Sequence, residues 1–232
     1  MLLKKFILII LIILLIGVSS LWAGDSAVFV DLGFSQDGRT YVFGQHGVLS
    51  PSLHPWADLY VVDVEKNVFV PNGRVTLTQN TPINAGQDGF GVFQQLVSRN
   101  TGLTNKYSLN FQKGLPLYIS RDENPAARGE RIEFRDFLSG KSYRAQLVPS
   151  ITGSGKNVSS RFHINLEEIS LNGSVKRYTV GTPDFIRRQI AQYNIKRVLI
   201  DEKGASIIFV IEMKRVAENG HDIRYMVEAV RL

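Results

Sequence analysis

The sequence predicts a mainly β protein: antiparallel sheets with blade-like, propeller-type units and two short helices, after an N-terminal signal helix. Three observations carry this expectation. Apolar and polar residues alternate in several separate stretches, the period of half-buried strands. Glycine-bearing turn signals separate those stretches, at Gln36-Asp37-Gly38, Ser139-Gly140-Lys141 and Asn172-Gly173. The first 23 residues have the layout of an export signal.

Met1–Ala23 opens with Lys4 and Lys5, continues with the apolar run Phe6–Val18, and ends in small residues (Ser19, Ser20, Ala23) before Gly24-Asp25. A helix of about 13 residues rises about 20 Å, short of the ~30 Å hydrocarbon core. A buried core helix would carry a polar face, and this run has none. The segment therefore reads as a signal peptide, residues 1–23, followed by one mostly-β secreted domain, residues 24–232. Cleavage and retention as an anchor both stay open.

Val28–Ser35 and Thr40–Phe43 are strand-like and flank the Asp37-Gly38 turn, whose glycine can adopt positive φ. Ala57–Val64 is apolar on both faces, with Leu59 and Val61 on one and Tyr60, Val62 and Val64 on the other, which predicts a central strand. Residues 71–89 read as linker. Residues 87–99 read as a helix, with Asp88 at its start, Phe90, Phe93, Leu96 and Val97 on one face, and Asn100-Thr101-Gly102 at its end. Leu115–Ser120, with Pro116, reads as an edge strand. Residues 121–131 read as a polar loop. Ile132 and Phe134, then Tyr143, Ala145 and Leu147, form the inward rows of a hairpin. Phe162, Ile164 and Leu166 continue that pattern, and Asn172-Gly173 closes another hairpin. Thr182-Pro183-Asp184 has the form of a helix start, so 183–193 reads as a second helix with Arg187 and Arg188 turned to solvent.

The order Phe34-Ser35-x-Asp37-Gly38, strand, loop, Leu59-Tyr60-x-x-Asp63 resembles one blade of the propeller repeat in TolB-like periplasmic proteins. Val198–Val210 and His221–Val227 echo the same rhythm near the other end. Gly24-Asp25-x-Ala27, Leu32–Arg39, Phe43-x-Gln45-x-Gly47 and Leu59–Val64 also resemble a bacterial family of predicted secreted proteins, domain of unknown function 2259. Pro183, Arg187 or Arg188, Tyr193-x-Ile195 and Asp222-Ile223-Arg224-Tyr225 extend that resemblance. It implies export and supplies no activity and no site residues.

Composition narrows the chemistry. The chain has no cysteine, which excludes disulfides, zinc–thiolate sites and a thiol nucleophile. The formal charge of +6 includes Lys4 and Lys5, and the remaining surplus is spread along the chain, so no nucleic-acid partner is expected. His46, His54, His163 and His221 have no metal-ligand spacing and read as surface histidines. Ser154-Gly155-Lys156 lacks the flanking residues of a phosphate loop and reads as a turn. Asp58/Asp63 and Glu167/Glu168 are carboxylate pairs by sequence proximity alone, and adjacent strand residues such as Glu167 and Glu168 face opposite sides. Asp37 and Gly38 read as structural turn residues.

No catalytic, cofactor-binding, metal or ligand-binding residue is assigned from the sequence, and no cofactor is expected. The expected protein is a periplasmic or secreted, non-enzymatic binding or interaction module of the cell envelope. Its partner would be a protein or glycan, and membrane contact would run through the signal segment if that is uncleaved. The alternative is an envelope hydrolase acting on glycan through two carboxylates ~5–9 Å apart in a concave pocket. A shallow surface lined by aromatics such as Trp56 and Tyr60 would favour binding.

Overall fold

The computed structural model describes residues 24–107, 113–120, 131–218 and 220–232. The expected signal segment, 1–23, and most of the expected loop at 121–131 lie outside the described residues.

Three antiparallel sheets stack face to face. The first is a simple meander of β1 (Val28–Phe34), β2 (Thr40–Leu49), β3 (His54–Asp63) and β4 (Val68–Thr78). The third is built from β6 (Arg131–Arg135), β7 (Ser142–Thr152) and β8 (Ser159–Ile169), with β9 (Val175–Val180) and the two-residue β10 (Arg187–Arg188) both pairing with β8. Between them lies a sheet of order β13-β12-β11-β5, made from β5 (Leu115–Ile119), β11 (Ile190–Ile200), β12 (Ser206–Ala217) and β13 (Gly220–Arg231).

The middle sheet is covered on both faces, and β12 shows it residue by residue. Ile207, Phe209 and Ile211 join a core with Ile132, Phe134, Tyr143, Ala145, Leu147, Phe162, Ile164 and Leu166 of the third sheet. The alternate residues Ile208 and Val210 join a core with Phe34, Tyr41, Phe43, Tyr60, Val62 and Val64 of the first. A strand buried on both faces reads as a continuous apolar run, as Ser206-Ile-Ile-Phe-Val-Ile211 does.

The first sheet has a second covering. Helix α1 (Phe90–Arg99) lays Val92, Phe93 and Leu96 on Val42, Ala57, Leu59, Val61 and Val70. Gly44 lets it approach: a Cβ there would lie 2.1 Å from Phe93 Cε2. Asp88 Oδ1 accepts a hydrogen bond from Phe90 N at 3.1 Å. Asn100 ends α1, its Nδ2 donating to Leu96 O at 2.8 Å, and a second short helix, α2 (Thr101–Lys106), follows directly where the sequence suggested a stop. Of the expected apolar face, Phe93, Leu96 and the half-buried Val97 pack inward, Val92 joins them, and Phe90 is 44% exposed.

Antiparallel meanders are present, and among the described residues they form no closed ring. The outer face of the first sheet meets α1, and that of the third is polar and open, so the stack has two ends. The predicted helix at 183–193 is a correction. Residues 187–188 and 190–200 are strands, and Phe185 and Ile186 are 57% and 64% exposed. A bulge between Ile190 and Gln192 sets the buried residues Ile190 and Tyr193 three apart, which imitates helical spacing. The linker expected from residue 71 is also displaced. β4 runs on through Pro71, Asn72 and Gly73, absorbing them as an irregularity opposite Tyr60–Val62, with Asn72 at φ +58°. Other expectations match the structure: β3 is central and buried on both faces, β5 is an edge strand, and Asn172-Gly173 turns β8 into β9.

Candidate functional site

The open face of the third sheet carries a shallow groove of about 520 Å³. Its floor is two rows of side chains in direct cross-strand register. One row runs Glu133 (β6), Arg144 (β7), Glu167 (β8), Arg177 (β9). Charges alternate along it, with Arg144 Nε 3.3 Å from Glu133, Arg144 Nη1 3.8 Å from Glu167 and Arg177 Nε 3.0 Å from Glu167. Opposite charges placed directly across strands attract, though exposed pairs contribute little to stability. The next row is Arg131, Gln146, Asn165, Thr179. It offers amide and hydroxyl groups that both donate and accept, beside a guanidinium. These side chains face outward because Ile132, Tyr143, Ala145, Leu147, Ile164 and Leu166 alternate with them into the core.

Glu167 and Glu168 do lie on opposite faces. Glu168 is buried, with Lys141 Nζ at 2.6 Å and Tyr178 donating its hydroxyl at 2.8 Å. Burial works to raise its carboxyl, but those hydrogen bonds outweigh it and hold the group below its ordinary value. Asp58 and Asp63 do not form a pair. Asp58 accepts from Gln45 Nε2 at 3.0 Å, from Tyr60 and from Thr76, whereas Asp63 caps Lys66 N at 3.0 Å.

A second cavity, about 260 Å³, opens where the three sheets meet, with Val68, Phe69, Phe185 and Met226 around Glu228. Glu228 accepts from Asn67 Nδ2 at 2.5 Å and from Arg187 Nη2 at 3.1 Å. Burial pushes its carboxyl above the ordinary range, against the lowering effect of these two partners. The Arg187 guanidinium is held between the rings of Phe162, at 4.7 Å, and Phe185, at 4.8 Å. Asn67 also accepts from Ala229 N at 2.7 Å. One carboxylate thus ties the β3–β4 turn, β10 and β13 together. Arg187 is part of this tie, not a solvent-facing residue; Arg188 is exposed.

The stretches Gly24-Asp25-x-Ala27 and Asp222–Tyr225, far apart in sequence, meet in space. Ser26 and Ile223 form a parallel bridge, and Asp25 N donates to Asp222 Oδ1 at 3.1 Å. Arg224 Nη2 lies 2.5 Å from Asp25 Oδ2, which also accepts from Trp56 Nε1 at 2.9 Å. Arg224 stacks 4.4 Å over the Trp56 ring. Trp56 and Tyr60 are both buried, so they do not line the shallow aromatic surface that would have favoured a binding role. His46 is buried in β2 and packs against Phe90 and Phe93; burial lowers its pKa. His54, half-buried, and His221, exposed, sit at the starts of β3 and β13. Among the described residues no group of three or more histidines and carboxylates is placed to hold a metal ion.

Asp37 and Gly38 are turn residues. Asp37 Oδ1 accepts from Ser35 Oγ at 2.6 Å and Arg39 N at 3.0 Å, and both bonds lower its pKa. Gly38 has φ +69°, and a Cβ there would lie 2.2 Å from Asp201 Oδ2 in the β11–β12 turn. Ser206 Oγ donates to Gly38 O at 2.8 Å, so the two turns that echo one another in sequence interlock. Ser154 and the 3₁₀ turn Gly155–Asn157 are an exposed connection, with Lys156 3.3 Å from Glu218.

Fold and site together define a mainly antiparallel β protein that presents one charged sheet face from an open stack. The chain belongs to the DUF2259 family, described as predicted secreted protein, whose model matches residues 42–231. That description makes it a secreted protein, and no helix among the described residues is long and apolar enough to cross a membrane. The matched span begins after the Ser35–Arg39 turn that suggested a propeller blade. No curated protein and no solved structure matches the chain.

Proposed function

We propose that the protein is an exported, non-enzymatic binding module of the periplasm or cell envelope, which engages a polar protein or glycan partner through the outer face of its third sheet. The observation that carries this reading is the pair of rows Glu133–Arg144–Glu167–Arg177 and Arg131–Gln146–Asn165–Thr179, held in register by four strands and left uncovered. Rigid strands fix such groups more closely than loops would, and an alternating charge pattern selects partners by complementarity. The hydrolase alternative is less well supported. The two carboxylates of the groove, Glu133 and Glu167, are both engaged by Arg144.

Backbone amide shifts test the reading during titration with solubilised envelope glycan and, separately, with envelope protein extract. Shifts gathered on Gln146, Asn165 and Thr179 are expected from one of the two. Shifts gathered around Phe69 and Glu228 instead would move the binding site to the three-sheet junction.

A further inference from the structure

The most exposed large apolar side chains of the described chain are gathered in one place. Phe137 is 86% exposed, Leu138 79% and Leu171 76%. Phe137 and Leu138 form the tip of the β6–β7 hairpin, and Leu171 lies in the β8–β9 turn. The tips touch, since a Cβ on Gly140 would lie 3.0 Å from Leu171 Cδ2. Singly scattered exposed apolar residues are ordinary, whereas three together at adjoining tips mark a contact surface.

The backbone of these tips is internally hydrogen-bonded. Asp136 accepts from Leu138 N at 2.9 Å, from Ser139 N at 3.3 Å and from Ser139 Oγ. Gly140 N donates to Asp136 O at 2.8 Å, Gly173 N to Ser170 O at 2.9 Å, and Ser174 N to Asn172 Oδ1 at 3.0 Å. Each such bond lowers the cost of taking the turn out of water. The cations at this end are Arg135, whose guanidinium lies 5.9 Å from the Phe137 ring, Lys176 at the start of β9, and Lys203 on the β11–β12 turn, which adjoins the β6–β7 tip where a Cβ on Gly204 would lie 3.9 Å from Asp136 Oδ2. Of the nearby carboxylates, Asp136 is committed to the turn and Glu168 to Lys141, leaving Glu202 exposed.

We propose that the paired tips seat the protein on a lipid bilayer. Phe137, Leu138 and Leu171 enter the interfacial zone, and Arg135, Lys176 and Lys203 meet anionic headgroup phosphates. This contact is separate from the groove proposed above and does not depend on it. It is also separate from the N-terminal segment. Gly24 packs against His221 at the opposite end of the stack, the twelve-residue length of β12 away, about 40 Å.

The test is co-sedimentation of the exported protein with vesicles of phosphatidylglycerol and phosphatidylethanolamine, against phosphatidylcholine alone. A Phe137→Trp variant adds quenching by brominated lipid, a readout at the tip itself. The native protein should bind the anionic vesicles, and the Trp variant should be quenched beyond the native chain. The combined Phe137→Ser, Leu138→Ser and Leu171→Ser variant should keep its melting temperature and bind about tenfold less or weaker still, since interfacial affinity scales with buried apolar area. Undiminished binding by the triple variant, or no vesicle binding by the native protein, would overturn the proposal. Equal binding to both vesicle types would remove the headgroup contacts. Self-association that the triple variant abolishes, without vesicle binding, would assign the tips to a second copy of the chain instead.

Discussion

The first and third sheets are built alike, as antiparallel meanders with one face on the middle sheet, yet their outer faces differ. On the first sheet the outward residues include Val42, Ala57, Leu59 and Val61, and helix α1 covers them with Phe93 and Leu96. On the third they are Glu133, Arg144, Gln146, Asn165, Glu167 and Arg177, and they stay open to solvent. The same scaffold therefore has one outer face covered by a helix and one left uncovered, the face proposed for recognition. Substitutions on the two faces should have opposite signatures.

The largest effect is expected under the helix. Phe93→Ala removes a buried ring packed on Gly44 and should cost about 3–5 kcal/mol, read as a fall in denaturation midpoint. A loss below about 1 kcal/mol would mean that α1 is only loosely docked.

The interlocked turns come next. Gly38→Ala combines a positive φ with the approach of Asp201 and should cost more than the ~1 kcal/mol of φ strain alone. Asp37→Ala frees Arg39 N and Ser35 Oγ and should cost about 1 kcal/mol. Both variants should lose melting temperature and any binding together. An Asp37→Ala protein with native stability and no binding would make Asp37 a site residue.

On the open face the effect on stability should be small. Arg144→Ala should change stability by less than about 1 kcal/mol, because Arg144 and Glu133 are exposed and Glu167 is only half-buried, while weakening partner binding. If it unfolded the protein, the charge row would be structural, and the contrast between the two faces would fail.

The smallest effect is a pH slope from the junction of the sheets. Burial raises the Glu228 carboxyl above its ordinary value of 4.5, so between that value and its folded one the native state holds more protons than the unfolded chain. Stability should therefore fall as pH rises through that window, with Asp25 and Asp31, also raised by burial, adding to the slope. Melting curves from pH 4 to 7 check this, and Glu228→Gln should flatten part of the decline. Asp37 acts in the opposite sense: its lowered carboxyl supports stability that is lost only as pH falls below its ordinary value of 3.8.

The strands of the third sheet were legible because period-two alternation survives intact there, from Ile132–Phe134 to Phe162–Leu166. β11 was not, because bulges between Ile190 and Gln192 and between Ile195 and Arg197 break that period and leave a helical imitation. The groove residues were visible one by one as outward positions. Their alignment into rows depends on register between residues up to 48 apart, Arg131 to Thr179, and the sequence alone does not specify it. The burial of Trp56, Tyr60 and His46 was hidden for a related reason. It depends on Asp25 and Arg224 for Trp56, on the middle sheet for Tyr60 and on helix α1 for His46, all distant in sequence.

The most direct test of the central contrast is site-specific photo-crosslinking in the producing cell, with the cross-linker at Gln146 in the groove or at Gln94 on the solvent side of α1. The account predicts a discrete adduct from Gln146 that Arg144→Ala diminishes, and none from Gln94. A discrete adduct from Gln94 alone, with Gln146 silent, would contradict it and make the helix-covered side the recognition surface.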